Sequence, residues 1–352
     1  MNATVTNSLT KTGRNCSIDI FRYICAVMVV ALHTQPMEDF NETIGYIFSE
    51  VIPRIAVPFF FAVAGYFYIG SMLSGKNTFV KHVKRLIIVY LSWSAIYLPF
   101  FIISAVKKQI PIMTFIKELL VSLFVSGISY QLWFFPALIY AVCITTLIFK
   151  LKRIKILLPL TILLYIIGCL GVSYYKIGNQ IPVLSILFNL TFFARIRALF
   201  LMGLPFFSMG YLLYLFKEKF AKYSNKKMFV ILAIAIMAFI AEIFIVNFFH
   251  FEKGIEITFA LYPLTYIVLA ILINNPMQRY SKISHTARVV ANFTYYAHPM
   301  VMTISSIIFD KVINFDVVKT KTLFFLLTCL VTGVGGLIIL KINNKWLNRL
   351  VV

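Results

Sequence analysis

Residues 18–36 read IDIFRYICAVMVVALHTQP, an apolar run interrupted by three ionisable side chains. A membrane-spanning helix needs about 20 mostly apolar residues, so this run is long enough to cross a bilayer. The interruptions are Asp19, Arg22 and His33. A charge inside a span costs at least about 2.5 kcal/mol on insertion scales and usually has a function. The run therefore predicts a first transmembrane helix that carries functional residues.

The whole chain has the composition of a polytopic membrane protein. Of its 352 residues, 61% are hydrophobic and 13% are charged, and the mean hydropathy is +0.90. A soluble domain carries about a quarter charged residues. This composition excludes a soluble enzyme and a disordered chain. The early charges in the first run, and the absence of a small-residue cleavage site after it, argue against a signal peptide.

Nine further apolar runs follow the first, and the chain is predicted to be an all-α protein of about ten spans. The predicted spans are 18–36, 51–73, 84–106, 128–149, 155–173, 196–216, 228–249, 256–273, 288–309 and 323–342. The stretch 112–126 is short and mixed, which indicates a re-entrant or interfacial segment. We predict one transmembrane domain over 18–342, with cytoplasmic tails at 1–17 and 343–352.

The basic residues set the predicted orientation. The chain has 33 Lys and Arg against 12 Asp and Glu, a formal net charge of +21. With the N-terminus inside, 21 of these bases fall in cytoplasmic segments and eight in outer segments. This asymmetry follows the positive-inside rule and supports both termini on the cytoplasmic side. Because the bases lie in short loops between apolar runs, the net charge does not indicate nucleic-acid binding.

The polar residues of the first span share one face. Arg22 and His33 are eleven positions apart, about three turns, and Asp19 lies one turn before Arg22. Histidine is the side chain best suited to remove a proton from a hydroxyl near neutral pH. An arginine can neutralise a phosphate or a developing oxyanion. The structural alternative is a snorkelling Arg22 paired with Asp19 and an interfacial His33.

Other polar residues at the edges or inside the spans are candidates for ligand binding. Lys84 and Arg85 form a basic cluster that could bind donor phosphates, set topology or contact anionic lipid. The candidates for binding an acceptor are Arg54, Gln131, Trp133, Arg195, Arg197, Tyr296 and His298.

No motif for another chemistry is present. The five cysteines have irregular spacing, which indicates buried thiols and neither a disulfide framework nor a metal site. A phosphate-binding glycine loop, a nucleophile elbow and a zinc-protease motif are also missing from the sequence.

Taken together, the motifs resemble the acyltransferase-3 family of integral membrane O-acyltransferases. The resemblance covers nearly the whole chain, and its most specific element is Arg22, ten residues, then His33. The other carrying elements are the Phe59-Phe60-Phe61 to Gly65-Tyr66-Phe67 run, Lys84-Arg85, Leu132-Trp133-Phe134 with Ala137-Leu138, and Tyr295-Tyr296 with His298. Family members often have Ser where Ala64 stands and His where Gln131 stands.

The resemblance implies a function and roles for two residues. His33 would be the catalytic base, and Arg22 would assist donor binding or catalysis. The expected reaction moves an acyl group, most simply acetyl, from acyl-CoA as co-substrate to a hydroxyl of a surface glycan or its lipid-linked precursor. No permanently bound cofactor or metal is expected, and the expected location is the bacterial cytoplasmic membrane.

A second interpretation stays open. The chain is also similar to the membrane half of vancomycin-resistance serine racemases, which is credited with L-serine uptake and precedes a cytoplasmic racemase domain. The glycine and proline interruptions of the second and sixth spans are typical of transporters. The sequence ends at residue 352 without such a domain, so a complete chain would favour a stand-alone acyltransferase and a fragment would favour the serine-racemase interpretation.

Overall fold

The computed structural model describes residues 15–76, 78–277, 281–309, 320–342 and 344–351. Every regular element within them is helical. Most of the predicted N-terminal tail, at residues 1–14, lies outside the described residues. The α-helices are α1 (Cys16–Thr34), α2 (Glu42–Tyr46), α3 (Ala56–Leu73), α4 (Phe79–Lys107), α5 (Ile112–Val121), α6 (Phe134–Lys150), α7 (Leu157–Gly171), α8 (Tyr175–Gly178), α9 (Pro182–Asn189), α10 (Thr191–Arg197), α11 (Leu204–Ala221), α12 (Asn225–Phe248), α13 (Leu261–Asn274), α14 (Ser281–Ile308), α15 (Lys321–Ile342) and α16 (Lys345–Val351).

Short π and 3₁₀ turns join several of these helices. The π turns are Ile47–Val51, Ser122–Ser126 and Ala198–Gly203, and the 3₁₀ turns are Ile52–Ile55, Tyr130–Trp133 and Ile154–Ile156. Such turns frequently mark functional sites because they re-aim the side chains that follow.

Eight helical segments of the described chain are long and apolar enough to cross a membrane. They are Cys16–Thr34, Glu42–Leu73, Phe79–Lys107, Tyr130–Lys150, Ile154–Gly171, Thr191–Ala221, Asn225–Phe248 and Lys321–Ile342. Each one overlaps a predicted span, which confirms an all-α polytopic membrane protein. The count of ten spans and the orientation of the termini stay predictions.

The predicted eighth span differs from the structure. The helix begins at Leu261 and not at 256, and its 14 residues rise about 21 Å, less than a bilayer core of about 30 Å. Glu242 explains the late start, since its carboxylate accepts hydrogen bonds from the N–H groups of Phe259 and Ala260 at 2.7 and 2.6 Å. This buried side chain caps the helix from a neighbouring one.

The segment 112–126 forms α5 and the π turn that follows it. No side chain of α5 is buried. Glu118 on α5 forms a bidentate ion pair with Arg195 on α10, at 2.9 and 3.0 Å. The helix is therefore held at the periphery of the bundle, and its re-entrant or interfacial placement stays a prediction.

Helices α1 and α14 run parallel and in register. Ser284 contacts Asp19 near the start of both helices, and His298 stacks on His33 fourteen residues later on each. Polar side chains thus meet at both ends of this contact, and we call it the α1–α14 seam.

Helices α3 and α11 form a second parallel pair, through an apolar contact. A Cβ at Gly65 would overlap the backbone carbonyl of Phe207, and a Cβ at Gly210 would overlap the backbone of Tyr66. Close backbone approach at small residues is the usual way for helices to pack in a membrane. Phe59, Phe61, Phe206 and Phe207 of these two helices are fully buried.

Candidate active site

A cavity of about 340 Å³ lies between the C-terminal part of α1 and three of the short turns. Small-molecule sites usually measure about 300–1,000 Å³. Most of the cavity wall is apolar and includes Leu32, Val57 and Ile257. Five of the predicted site residues line it: His33, Arg54, Gln131, Trp133 and Arg197.

His33 is half-buried at the wall of this cavity, near the end of α1. Its ring lies 4.5 Å from the ring of Tyr130, centroid to centroid. The ring of His298 stacks on that of His33 with a centroid distance of 5.4 Å and an interplanar angle of 16°. Two histidines predicted from separate parts of the sequence therefore meet at one place.

Pro299 determines which ring nitrogen of His298 carries the proton. Proline has no N–H, so the carbonyl of Tyr295, four positions earlier, loses its helical partner. The Nδ1 of His298 lies 2.9 Å from that oxygen. Because a carbonyl only accepts, Nδ1 carries the proton and Nε2 is the acceptor atom of the neutral ring. Nε2 is buried and has no hydrogen-bond partner in the described part of the chain.

The turn at Tyr130–Trp133 is attached to α14 by polar contacts. Gln131 is buried, and its Nε2 donates to the carbonyl of Tyr296 at 3.0 Å. The hydroxyl of Tyr295 donates back to the carbonyl of Gln131 at 3.1 Å. Gly127, with φ of +80°, allows the tight bend that leads into the turn. These bonds hold Trp133 and Tyr130 against the cavity.

Two arginines reach the cavity from other elements, and each has a carboxylate partner. Arg54 pairs with Glu50 across a π turn and a 3₁₀ turn. Arg197 pairs with Glu256 at 3.0 Å, and Glu256 itself lines the cavity. The cavity therefore presents positive and negative groups beside an imidazole, which suits a ligand with several polar groups.

Arg22 lies at the other end of α1, away from this cavity. Its Nη1 donates to Asp19 at 3.3 Å, and Asp19 also accepts from the hydroxyl of Ser284 at 2.5 Å. The charges of Arg85 and Arg288 are close enough to act on Arg22. The predicted donor residue Arg85 therefore lies within electrostatic range of Arg22, and both Arg85 and its neighbour Lys84 are exposed.

Three candidates for acceptor binding lie outside the cavity lining. Arg195 is bound to Glu118, and this hydrogen-bonded pair lowers the pKa of the Glu118 carboxyl. Tyr296 packs against Trp93 at 5.6 Å. His298 lies behind His33 and is fully buried. None of the three is among the residues that line the cavity.

Two carboxylates that have defined partners in the structure, Glu242 and Glu256, are not among the site residues predicted from the sequence. Glu242 lies within the seventh predicted span, and an acid inside a span was a signal for it. The structure gives it a structural role, since it also accepts from the hydroxyl of Tyr174 at 2.9 Å. Glu256 had no such signal, because it was expected at a membrane boundary, and only folding brings it to Arg197.

One family model and several curated bacterial proteins match this chain. The acyltransferase-3 family model, described as an acyltransferase domain, matches residues 15–341. An amino-acid racemase of Enterococcus faecalis is 26% identical over 337 residues, which are 93% of this chain and 46% of the relative. A serine/alanine racemase of Enterococcus gallinarum is 33% identical over 177 residues, 48% of this chain and 25% of the relative.

This chain spans less than half the length of these curated relatives. No solved structure matches it. The family model covers nearly the whole chain, including the helix with Arg22 and His33 and the helix with His298. The protein is therefore a member of the acyltransferase-3 family, a multi-pass membrane protein with an acyltransferase domain.

Proposed function

We propose that the protein transfers an acyl group, most simply acetyl, from acyl-CoA to a hydroxyl of a cell-surface glycan or its lipid-linked precursor. The observation that supports this best is the placement of His33 in the wall of a cavity that also presents Arg54, Arg197 and Glu256. Arg22 lies about 16 Å away by helical rise on the same helix. Its partner Asp19 contacts Ser284 of α14, and His33 stacks on His298 of α14. The bacterial relatives suggest the cytoplasmic membrane as its location.

His33 acts as the general base in this proposal. Its imidazole takes the proton of the acceptor hydroxyl while that oxygen attacks the thioester carbonyl. The carbon–oxygen bond forms, the carbon–sulfur bond breaks, and the departing thiolate takes the proton from the imidazolium. The products are the ester and free CoA thiol. A positioned general base contributes about 10²–10⁴-fold to the rate.

The donor is held by cations at the N-terminal end of α1. Arg22, with Arg85 near it and Lys84 beside Arg85, would bind the phosphates of acyl-CoA. Arginine suits this task because its planar fork binds phosphate oxygens in pairs. The thioester arm of the donor would then extend along α1, from Arg22 towards His33.

The acceptor occupies the cavity beside His33. Arg54 and Arg197 offer donors from two walls, and Gln131 is held rigid by its bonds to α14. Trp133 supplies an aromatic wall, whose ring packs at 5.8 Å against Phe61. Polar groups fixed within a mostly apolar wall orient a ligand and exclude water.

The test is thiol release from acetyl-CoA by the purified protein, with wild type beside His33→Gln. We expect release by the wild type and a loss of at least about 10²-fold in the variant, with unchanged thermal unfolding. Equal release by a folded His33→Gln variant contradicts the proposed base.

A second candidate function is the handling of an amino acid such as L-serine. The cavity offers Arg54 and Arg197 for a carboxylate and Glu256 for an ammonium group. The relatives named amino-acid and serine/alanine racemases match most or half of this chain. These observations favour a zwitterionic ligand at the same cavity.

Flux of labelled L-serine into proteoliposomes tests this candidate. Flux that Arg197→Gln reduces, in the absence of any acyl donor, supports it. Its absence in a folded, reconstituted sample that still releases thiol from acetyl-CoA leaves acyl transfer as the function.

A further inference from the structure

A second cleft of about 500 Å³ adjoins the cavity of His33. Arg54 lines both spaces, so this side chain and its partner Glu50 stand between them. Asn247 and Tyr46 also line the second cleft. The side-chain amide of Asn247 donates to the hydroxyl of Tyr46 at 2.8 Å, which joins α12 to α2. The two spaces therefore adjoin at Arg54, and we call the second space the outer cleft.

The lining of the outer cleft is polar within apolar surroundings. His250, Glu252 and Lys253 line it beside the residues just named. The adjacent Phe248 and Phe249 are outside the lining, with 66% and 54% of their surface exposed. Exposed phenylalanines are expected on a surface that faces lipid, and the polar lining beside them suits a hydrophilic ligand.

The charges of the outer cleft balance. Glu50 and Glu252 supply two negative charges, and Arg54 and Lys253 supply two positive ones. Glu50 is paired with Arg54, and the ammonium of Lys253 lies over the ring of Tyr175 at 3.4 Å. A lining without net charge, rich in hydrogen-bonding groups, complements a neutral polar ligand better than an anion or a cation.

The cleft is also preformed. The N–H of Lys253 donates to the carbonyl of Val172, and the N–H of Lys176 donates to the carbonyl of Phe251, each at 2.9 Å. His250 has φ of +51°, which turns the chain off the end of α12 and towards the cleft. Groups held in place before binding lower the entropic cost of capturing a ligand.

We propose that the outer cleft binds a neutral saccharide unit next to the unit that is acylated. The acceptor is then a glycan of at least two units, which enters past Glu50 and Arg54 with its reacting hydroxyl at His33. A free amino acid fits in the inner cavity and makes no use of the outer cleft. This inference rests on the proposed acyl transfer and narrows its acceptor.

The test compares neutral acceptors of increasing length in the thiol-release assay. The probes are N-acetylglucosamine, its β-1,4-linked dimer and trimer, and glucose, maltose and maltotriose. We expect stimulation over the background release, with a KM at least tenfold lower for a dimer than for its monomer. Equal KM values for monomer and dimer overturn the proposal, as does stimulation by L-serine alone or by no saccharide.

A matched pair of variants locates the effect in the outer cleft. Glu252→Gln should raise the KM for the dimer about fivefold and leave that for the monomer unchanged. Glu42→Gln, an exposed carboxylate of α2 outside the lining, should change neither value. Equal effects of Glu252→Gln on monomer and dimer would also overturn the proposal. Background release that depends on His33 keeps the proposed acyl transfer standing in each of these cases.

Discussion

The two parallel helix pairs of this protein differ in what lies between their helices. The α1–α14 seam contains Asp19 with Ser284 at one end and His33 with His298 at the other. The α3–α11 contact contains glycine against backbone, surrounded by buried phenylalanines. One pair is held by polar contacts and the other by close packing.

This difference indicates a division of labour. Lipid tails are as apolar as the helices, so dense packing of small residues is what favours association in a membrane. Polar residues at membrane depth are costly, and at one end of the seam Arg22 pairs with Asp19 and Asp19 with Ser284. We infer that the α3–α11 contact stabilises the bundle, whereas the α1–α14 seam carries the chemistry.

The largest effect is expected at the α3–α11 contact. Gly65→Leu places a side chain where the carbonyl of Phe207 lies, and the helices must separate. We expect no monodisperse protein in size-exclusion chromatography. Gly70→Ala is the matched control, because its Cβ would meet the flexible ring of Tyr214 at 3.3 Å. A well-folded Gly65→Leu protein would show that this contact is not the scaffold.

Arg22→Gln should separate chemistry from stability in the seam. The variant keeps a hydrogen-bonding side chain beside Asp19 but loses the cation proposed for the donor. We expect thiol release to fall about 10²-fold, with weaker acetyl-CoA binding and a small change in melting temperature. Arg153→Gln removes an exposed loop arginine and should behave as wild type. If Arg22→Gln unfolds much of the protein while the folded fraction releases thiol at the normal rate, then Arg22 has a structural role and not a catalytic one.

His298 gives a finer test of the same seam. His298→Asn keeps a donor for the carbonyl of Tyr295 but removes the Nε2 acceptor, whereas His298→Leu removes both. We expect His298→Leu to lower the free energy of unfolding by about 1–3 kcal/mol, since the carbonyl is left unsatisfied. His298→Asn should be more stable than His298→Leu and reduce thiol release about tenfold. Full activity in His298→Asn would limit this residue to a structural role.

The smallest effects are expected at the arginines of the sixth span. Arg197 lines the cavity and Arg195 does not. In an assay with a saturating donor, Arg197→Gln should raise the acceptor KM about tenfold, and Arg195→Gln should leave it within about twofold. A larger effect for Arg195→Gln would mean that α5 takes part in acceptor binding.

Some of these relations were predictable from the sequence. Asp19, Arg22 and His33 share a face because the period of a helix is local, and the structure places partners of Asp19 and His33 on α14. The separation of Arg195 from Arg197 also follows from helix geometry, since two positions are about 200° apart. By charge alone both arginines are candidates for acceptor binding, whereas their positions around the helix place them on different sides of it.

Other relations depend on residues that are distant in the chain. His33 and His298 meet only because α1 and α14 pack in register. Glu256 reaches Arg197 because Glu242 holds the start of α13 and the loop before it. Neither contact leaves a spacing signal that a sequence pattern could reveal.

The sequence by itself determined that this is an all-α membrane protein and that its first helix carries an arginine and a histidine on one face. Hydropathy and helical period act over a single segment, so they can be read without knowing the neighbours. Only the tertiary structure decided which polar residues share the cavity, which become ion pairs at the periphery, and where the outer cleft begins. Those outcomes depend on how each helix is rotated against its partners, which packing between distant segments determines.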